Sequence, residues 1–164
     1  MAYLLDTNVL IAAKNNHYGF DFCPAFWDWL DNANAYGTVH SIERVYDELI
    51  ERADDLSEWA RARHAFFLPL TANDVRAVAA VNRWANDSRD YDAAAKSEFA
   101  DVADSFLVAQ ASASGHTVVT HERISDGRKR IKIPNAAVAH DVEWCTPFHM
   151  LRLERARFVL PGVA

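Results

Sequence analysis

Short apolar runs that stop at a carboxylate constrain this chain most. Tyr3-Leu4-Leu5 runs into Asp6, and a β-branched run over residues 117–120 runs into His121 and Glu122. A third short run covers residues 38–41. Runs of three or four such residues read as strands, and the stretches between them read as helices. Short strands alternating with helices predict an α/β fold: a central, mostly parallel β-sheet with helices on both faces. In such sheets ligands gather at the C-terminal edge of the strands. That rule selects Asp6, the segment from Ser41 to Glu48, and Glu122.

The helical stretches have their own signals. Residues 8–13 read as a short helix and residues 14–22 as a loop. Pro24 opens a helix whose apolar face is Phe26, Leu30 and Ala33, ending at Gly37. Ser41 reads as the cap of a helix over 43–52, and Ser57 as the cap of one over 58–65. Thr71-Ala72-Asn73-Asp74 resembles a capping box ahead of a helix that fades near Asn86. A weaker helix covers 91–99. A stronger one, rich in alanine, covers 101–114 and is closed by Gly115. Ile131 and Ile133 flank Lys132 and predict an edge strand. Pro134 starts a helix to about His140, residues 142–145 form a last strand, and Thr146-Pro147 opens a C-terminal helix. No repeat or low-complexity linker interrupts the chain, so one domain over residues 1–164 is expected.

With 164 residues, 51% of them hydrophobic, the chain is long enough to bury a core without staples. Two cysteines, Cys23 and Cys145, exclude a disulfide framework and a cysteine-rich zinc site. They fit a reducing, cytoplasmic setting. No uncharged apolar run approaches a membrane span, so no membrane partner is expected. The N-terminal run lacks a basic flank and reads as a buried strand and helix rather than a signal peptide. A net charge of −6 argues against binding nucleic acid by bulk charge. Its distribution says more: residues 123–132 carry +4, which leaves −10 on the rest.

The acids sit in apolar surroundings: Asp6 at the end of the first strand, Glu48 in Val45-Tyr46-Asp47-Glu48-Leu49, Asp104 in an alanine-rich helix, and Glu122 after the 117–120 strand. Asp101, three residues before Asp104, is expected on the same helical face. Carboxylates gathered in one pocket repel each other, and a divalent cation removes the conflict. Hard oxygen donors suit Mg²⁺ or Mn²⁺, as one or two ions. Such a site activates water for displacement at phosphorus. Each acid also has a plain structural role available: Asp6 and one of Asp101 or Asp104 as helix caps, Glu48 as a solvated helix residue, Glu122 as a loop charge.

Leu4-Leu5-Asp6-Thr7-Asn8, Ser41 with Val45-Tyr46-Asp47-Glu48-Leu49, Ala103-Asp104-Ser105-Phe106-Leu107-Val108-Ala109, and Val118-Val119-Thr120-His121-Glu122 resemble, in order and spacing, the PIN domain. That is the metal-dependent ribonuclease fold of VapC-type toxins. Phe26-Trp27-Asp28-Trp29-Leu30 and Lys132-Ile133-Pro134 look like a less characterised prokaryotic branch of it. The resemblance implies a three-layer PIN-like fold and a metal-dependent endoribonuclease, the toxin of a type II toxin–antitoxin pair. It implies RNA as substrate and an antitoxin as protein partner, and leaves a homodimer open. Asp6, Glu48 and Asp104 take the family's first three acidic positions. Glu122 stands where Asp is commoner, reaching a metal through water, with Asp101 as an auxiliary acid. Thr7, Asn8 and Thr120 support the site.

Arg123, Arg128, Lys129, Arg130 and Lys132 directly follow the last acid and are the candidate RNA contacts. The alternatives are a solvated hairpin or a docking patch for an acidic antitoxin. Trp27, Trp29, Trp59 and Trp84 read as packing residues, His121 as a loop histidine, and both cysteines as inert. Two other functional classes compete. A non-catalytic PIN-like module binding RNA or protein would not need the acids. An aspartate-nucleophile phosphatase of the haloacid dehalogenase type would want an acid two residues after Asp6, where Asn8 stands.

Overall fold

The computed structural model describes residues 2–159. Five strands form one all-parallel sheet in the order β3-β2-β1-β4-β5: β1 (Tyr3–Leu5), β2 (Val39–Ile42), β3 (Phe67–Leu68), β4 (Thr117–Val119) and β5 (Trp144–Cys145). Nine α-helices among the described residues flank it: α1 (Thr7–Ala12), α2 (Pro24–Ala35), α3 (Glu43–Ile50), α4 (Asp55–Arg61), α5 (Ala72–Asp87), α6 (Ala93–Asp101), α7 (Ala103–Ser114), α8 (Ile133–Ala139) and α9 (Pro147–Leu153). The protein is therefore α/β, with the layering expected of a PIN-like fold.

The three central strands, β1, β2 and β4, are buried on both faces. Leu4, Leu5, Val39, Ile42, Val118 and Val119 are all fully enclosed. Parallel strands covered by helices show this near-continuous apolar pattern. Strand order reverses at β1: β2 and β3 build outward on one side, β4 and β5 on the other. The crevice between β1 and β4 is thus the switch point where a parallel sheet exposes its strand ends to a ligand.

Several boundaries follow the caps. Thr71 and Asp74 form a reciprocal capping box at α5, and Thr146 caps α9 ahead of Pro147. Gly115 takes φ +66° after α7, the left-handed turn that closes a helix at little cost for glycine.

Other expectations are corrected. Ser41 does not cap α3. It lies within β2, and its Oγ donates to the Leu5 carbonyl at 2.6 Å, tying two strand ends together. Ser57 is three residues inside α4, whose cap is Asp54, in a second capping box. The 14–22 loop begins with a π-helical turn, Ala13–His17, in which the Tyr18 N–H reaches back to the Ala13 carbonyl at 2.6 Å. β3 gave no separate sequence signal. Ile131 and Ile133 are buried, but they form no strand, because the Ile133 N–H donates to the Glu122 carboxylate and Ile133 starts α8.

The tryptophans pack as expected. Trp27 and Trp59 are buried edge to face at 5.1 Å, and Trp84 meets Tyr91, Phe99 and His140. Both cysteines are free, and burial pushes the Cys145 thiol up to about 11. Among the described residues no helix is long and apolar enough to cross a membrane.

Candidate functional site

Asp6 leaves β1 where the sheet opens. Its N–H still pairs with the Val119 carbonyl at 3.0 Å, so the backbone continues the ladder, and its side chain then stands at the start of α1. It occupies the cap position of α1 without making a side-chain cap bond. Its carboxylate instead accepts from Thr120 Oγ1 at 3.0 Å, across the β1–β4 crevice. Asp6 is 1% exposed. Burial lifts its carboxyl to about 6, with the Thr120 hydrogen bond opposing and the Glu122 charge adding.

Asp104 stands in the first turn of α7 and is half-buried. Among the described residues its carboxylate accepts no side-chain or backbone hydrogen bond that would stabilise its charge. Burial raises it to about 7, and the charges of Asp6, Glu122 and Glu48 push the same way against Arg130. Two carboxylates that resist ionisation at one strand edge are what a cation would relieve.

Glu48 reaches the same place from α3 but is held differently. One carboxylate oxygen accepts from the Thr7 hydroxyl, and the other accepts from the Ala103 N–H at 3.0 Å. Ala103 is the first residue of α7, whose own cap residue, Val102, offers no side-chain acceptor. Glu48 therefore caps a neighbouring helix and is fixed in place by doing so.

Asp6, Thr7, Asn8, Glu48 and Asp104 line one cavity of about 440 Å³. Glu51, Arg52, Glu98 and Arg130 complete its charged wall, giving five carboxylates against two arginines. Glu51 and Arg52 fall three and four residues after Glu48, on the same helical side, so the sequence carried a signal for them. Glu98 lies across a helix break from Asp104 and had no such signal.

Two expected site residues do not line this cavity, although the Glu122 charge still reaches Asp6 and Asp104. Val102 adopts φ −90°, ψ 171°, so the stronger helix begins at Ala103 and Asp101 falls in the helix before it. Asp101 ends α6, exposed and away from the cavity, with its carbonyl accepting from Arg44 at 3.3 Å. Glu122 is drawn off by its own loop. Its carboxylate accepts from Lys132 Nζ at 2.9 Å and the Ile133 N–H at 2.8 Å, and Arg130 lies at 3.4 Å. With both oxygens engaged, Glu122 bends the basic stretch back on itself.

The five cations separate accordingly. Arg130 and Lys132 are paired with Glu122, and Arg130 also reaches the cavity wall. Arg128 donates to the Arg89 carbonyl at 3.1 Å, while the Asp92 N–H donates to the Arg128 carbonyl, which pins the loop to the segment before α6. Arg123, Arg128 and Lys129 are exposed and form no salt bridge among the described residues.

Residues 3–158 match the family described as a domain of unknown function, DUF4411. The chain belongs to that family. No curated protein and no solved structure matches the chain at a significant level. The family assignment covers all five strands and every residue of the acidic cavity. The family description carries no activity.

The donor chemistry fits a hard divalent cation. Asp6 and Asp104 offer carboxylate oxygens with spare lone pairs, and each is held partly protonated near neutrality by burial and repulsion. Glu48 stands beside them with both oxygens hydrogen-bonded, to the Thr7 hydroxyl and the Ala103 N–H. Among the described residues no group of three or more histidine, cysteine, aspartate or glutamate side chains is placed to hold a metal ion. A cation here would rest on the Asp6 and Asp104 carboxylates and keep several waters, as Mg²⁺ and Mn²⁺ do.

Proposed function

We propose that this protein is a Mg²⁺- or Mn²⁺-dependent endoribonuclease, and that it acts as the toxin of a toxin–antitoxin pair in the cytoplasm. The observation that carries the reading is the pair Asp6 and Asp104, two carboxylates destabilised by burial, sharing a cavity with Glu48 at the sheet's switch point. The resemblance of the surrounding motifs to PIN domains supports the same chemistry.

Asp6 and Asp104 would hold the cation, with Glu48 beside them. A bound Mg²⁺ or Mn²⁺ supplies an activated water and neutralises charge building on the scissile phosphate. The chain's own residues do the rest. Thr120 fixes the Asp6 carboxylate, and Thr7 and the Ala103 N–H fix Glu48. Arg52 and Arg130 present guanidinium groups on the cavity wall to the non-bridging phosphate oxygens. Glu122 holds Arg130 toward that wall rather than ligating. Arg123, Arg128 and Lys129 extend a cationic track for the RNA backbone or for an acidic antitoxin.

The test is direct. Purified protein is incubated with total RNA in Mg²⁺, Mn²⁺ or EDTA, and the new ends are mapped. Discrete cuts that need metal and vanish in Asp6→Asn are expected. Metal-dependent RNA binding without cuts would favour the non-catalytic module. Cuts that persist in Asp6→Asn with metal still required would remove Asp6 from the site.

A further inference from the structure

A second cavity of about 410 Å³ adjoins the acidic one. Asn8, Ile11, Ala12, Asn16, His17 and His121 line it, and Asn8 and Ile11 belong to both walls. Three elements converge there. His17 ends the π-helical turn, His121 follows β4 directly after Thr120, and Phe148 stands in the first turn of α9. The two imidazoles lie 5.7 Å apart, tilted by 42°. Phe148 backs both edge-on, at 5.3 and 5.9 Å.

The arrangement is not core packing. His17, Asn8 and Asn16 are exposed, and Phe148 keeps 38% of its surface. A regular α-helix ending at Ala12 would carry the chain past this point in a tighter turn. The π-helical turn widens it and sets His17 facing His121, and such turns cluster at working surfaces. The result is a ledge of two aromatic rings, braced from behind, with amide side chains at its rim. Aromatic rings accept any base by stacking, and amides read base edges by hydrogen bonds.

We infer that His17 and His121 form a nucleobase ledge, which seats one unpaired base of a single-stranded RNA next to the phosphate held in the acidic cavity. The inference takes its ligand class from the ribonuclease reading and deepens it. Asn8 and Ile11 border both recesses, so the polar, charge-lined end and the ring-lined end lie side by side. A strand laid across both places a base on the rings while its neighbouring phosphate lies against Arg52 and Arg130. A paired base in a duplex cannot reach the ledge, so the substrate is single-stranded or locally opened RNA.

The experiment reads stacking without cleavage. Short single-stranded oligoribonucleotides carrying 2-aminopurine at successive positions are titrated with protein in EDTA. The wild type is expected to quench the fluorescence at one register. His17→Ala/His121→Ala should lose that quench and bind about tenfold more weakly. An oligoribonucleotide with an abasic residue at that register should bind the wild type as weakly, and the double variant should not distinguish the two strands. Thermal unfolding of the variant serves as the folding control, and the single His17→Ala, at an exposed position, repeats the test should the double variant melt early. Equal affinity and quench in wild type and variant, or equal wild-type affinity for the abasic strand, would overturn the ledge.

The two readings fail separately. Base-dependent binding with no metal-dependent cleavage would keep the ledge and end the ribonuclease reading. Cleavage with an unchanged cut pattern and rate in the double variant would keep the ribonuclease and end the ledge.

Discussion

Asp104 and Glu48 face the same cavity, yet removing their charges should move stability in opposite directions. The Asp104 carboxyl is raised to about 7 and the Asp6 carboxyl to about 6, both above their ordinary values near 4. Between about pH 4 and pH 7 the folded chain therefore holds more protons than the unfolded one. Metal-free stability should fall as pH rises through that window. Asp104→Asn removes the group that resists charging, so it should stabilise the metal-free protein at pH 7.5 by roughly 1–3 kcal/mol and flatten the pH dependence. Urea unfolding at several pH values checks this. Glu122 should behave as a positioning residue. Glu122→Gln is expected to weaken Mn²⁺ binding by about tenfold, far less than Asp104→Asn does. Calorimetric titration of the two variants compares them. The apolar motifs around Asp6 and Asp104 made these two acids legible. Glu122 looked equivalent, because its partners Lys132 and the Ile133 N–H lie ten and eleven residues on. Only the path of the loop brings them back.

At the scale of elements, the cavity depends on how α7 begins. The sequence predicts a continuous helix from 101, since nothing between Asp101 and Ala109 is a breaker. The chain instead turns at Val102, and Glu48 from α3 supplies the missing cap to the Ala103 N–H. A cap given by a residue 55 positions away leaves no local trace. Glu48→Ala should therefore destabilise the fold by about 1 kcal/mol, in the usual range for a lost helix cap, while Asp104→Asn does the reverse. Thermal unfolding of both variants in EDTA reads the sign. The boundaries set by local chemistry were legible: the Thr71–Asp74 box, the Thr146-Pro147 start and the Gly115 stop. Those set by tertiary bonds, as at Ser41, Ile133 and Val102, were not.

For the whole molecule, strand order and charge distribution decide what reaches the site. The alternation of strands and helices made the parallel sheet legible, but not its order, which places β1 beside β4 and so brings Asp6 to Thr120. The −10 body and the +4 stretch were also visible in the sequence. The structure divides that stretch into two cations paired with Glu122 and three that form no salt bridge among the described residues. Replacing Arg123, Arg128 and Lys129 with Ala should lower the slope of log RNA affinity against log salt by roughly 2, at about 0.7 per lost phosphate contact. An unchanged slope together with lost inhibition by the cognate antitoxin would assign those three residues to the protein partner.

The central claim is that a divalent cation displaces protons from the Asp6–Asp104 pair. The decisive measurement is Mn²⁺ calorimetry at pH 6.5 in buffers of different ionisation enthalpy. Binding should release about one proton per chain at pH 6.5, with less released at pH 8, where the pair is already ionised. Both binding and release should be lost in Asp104→Asn. Absence of Mn²⁺ binding, or binding that neither releases protons nor responds to Asp6→Asn and Asp104→Asn, would contradict the account.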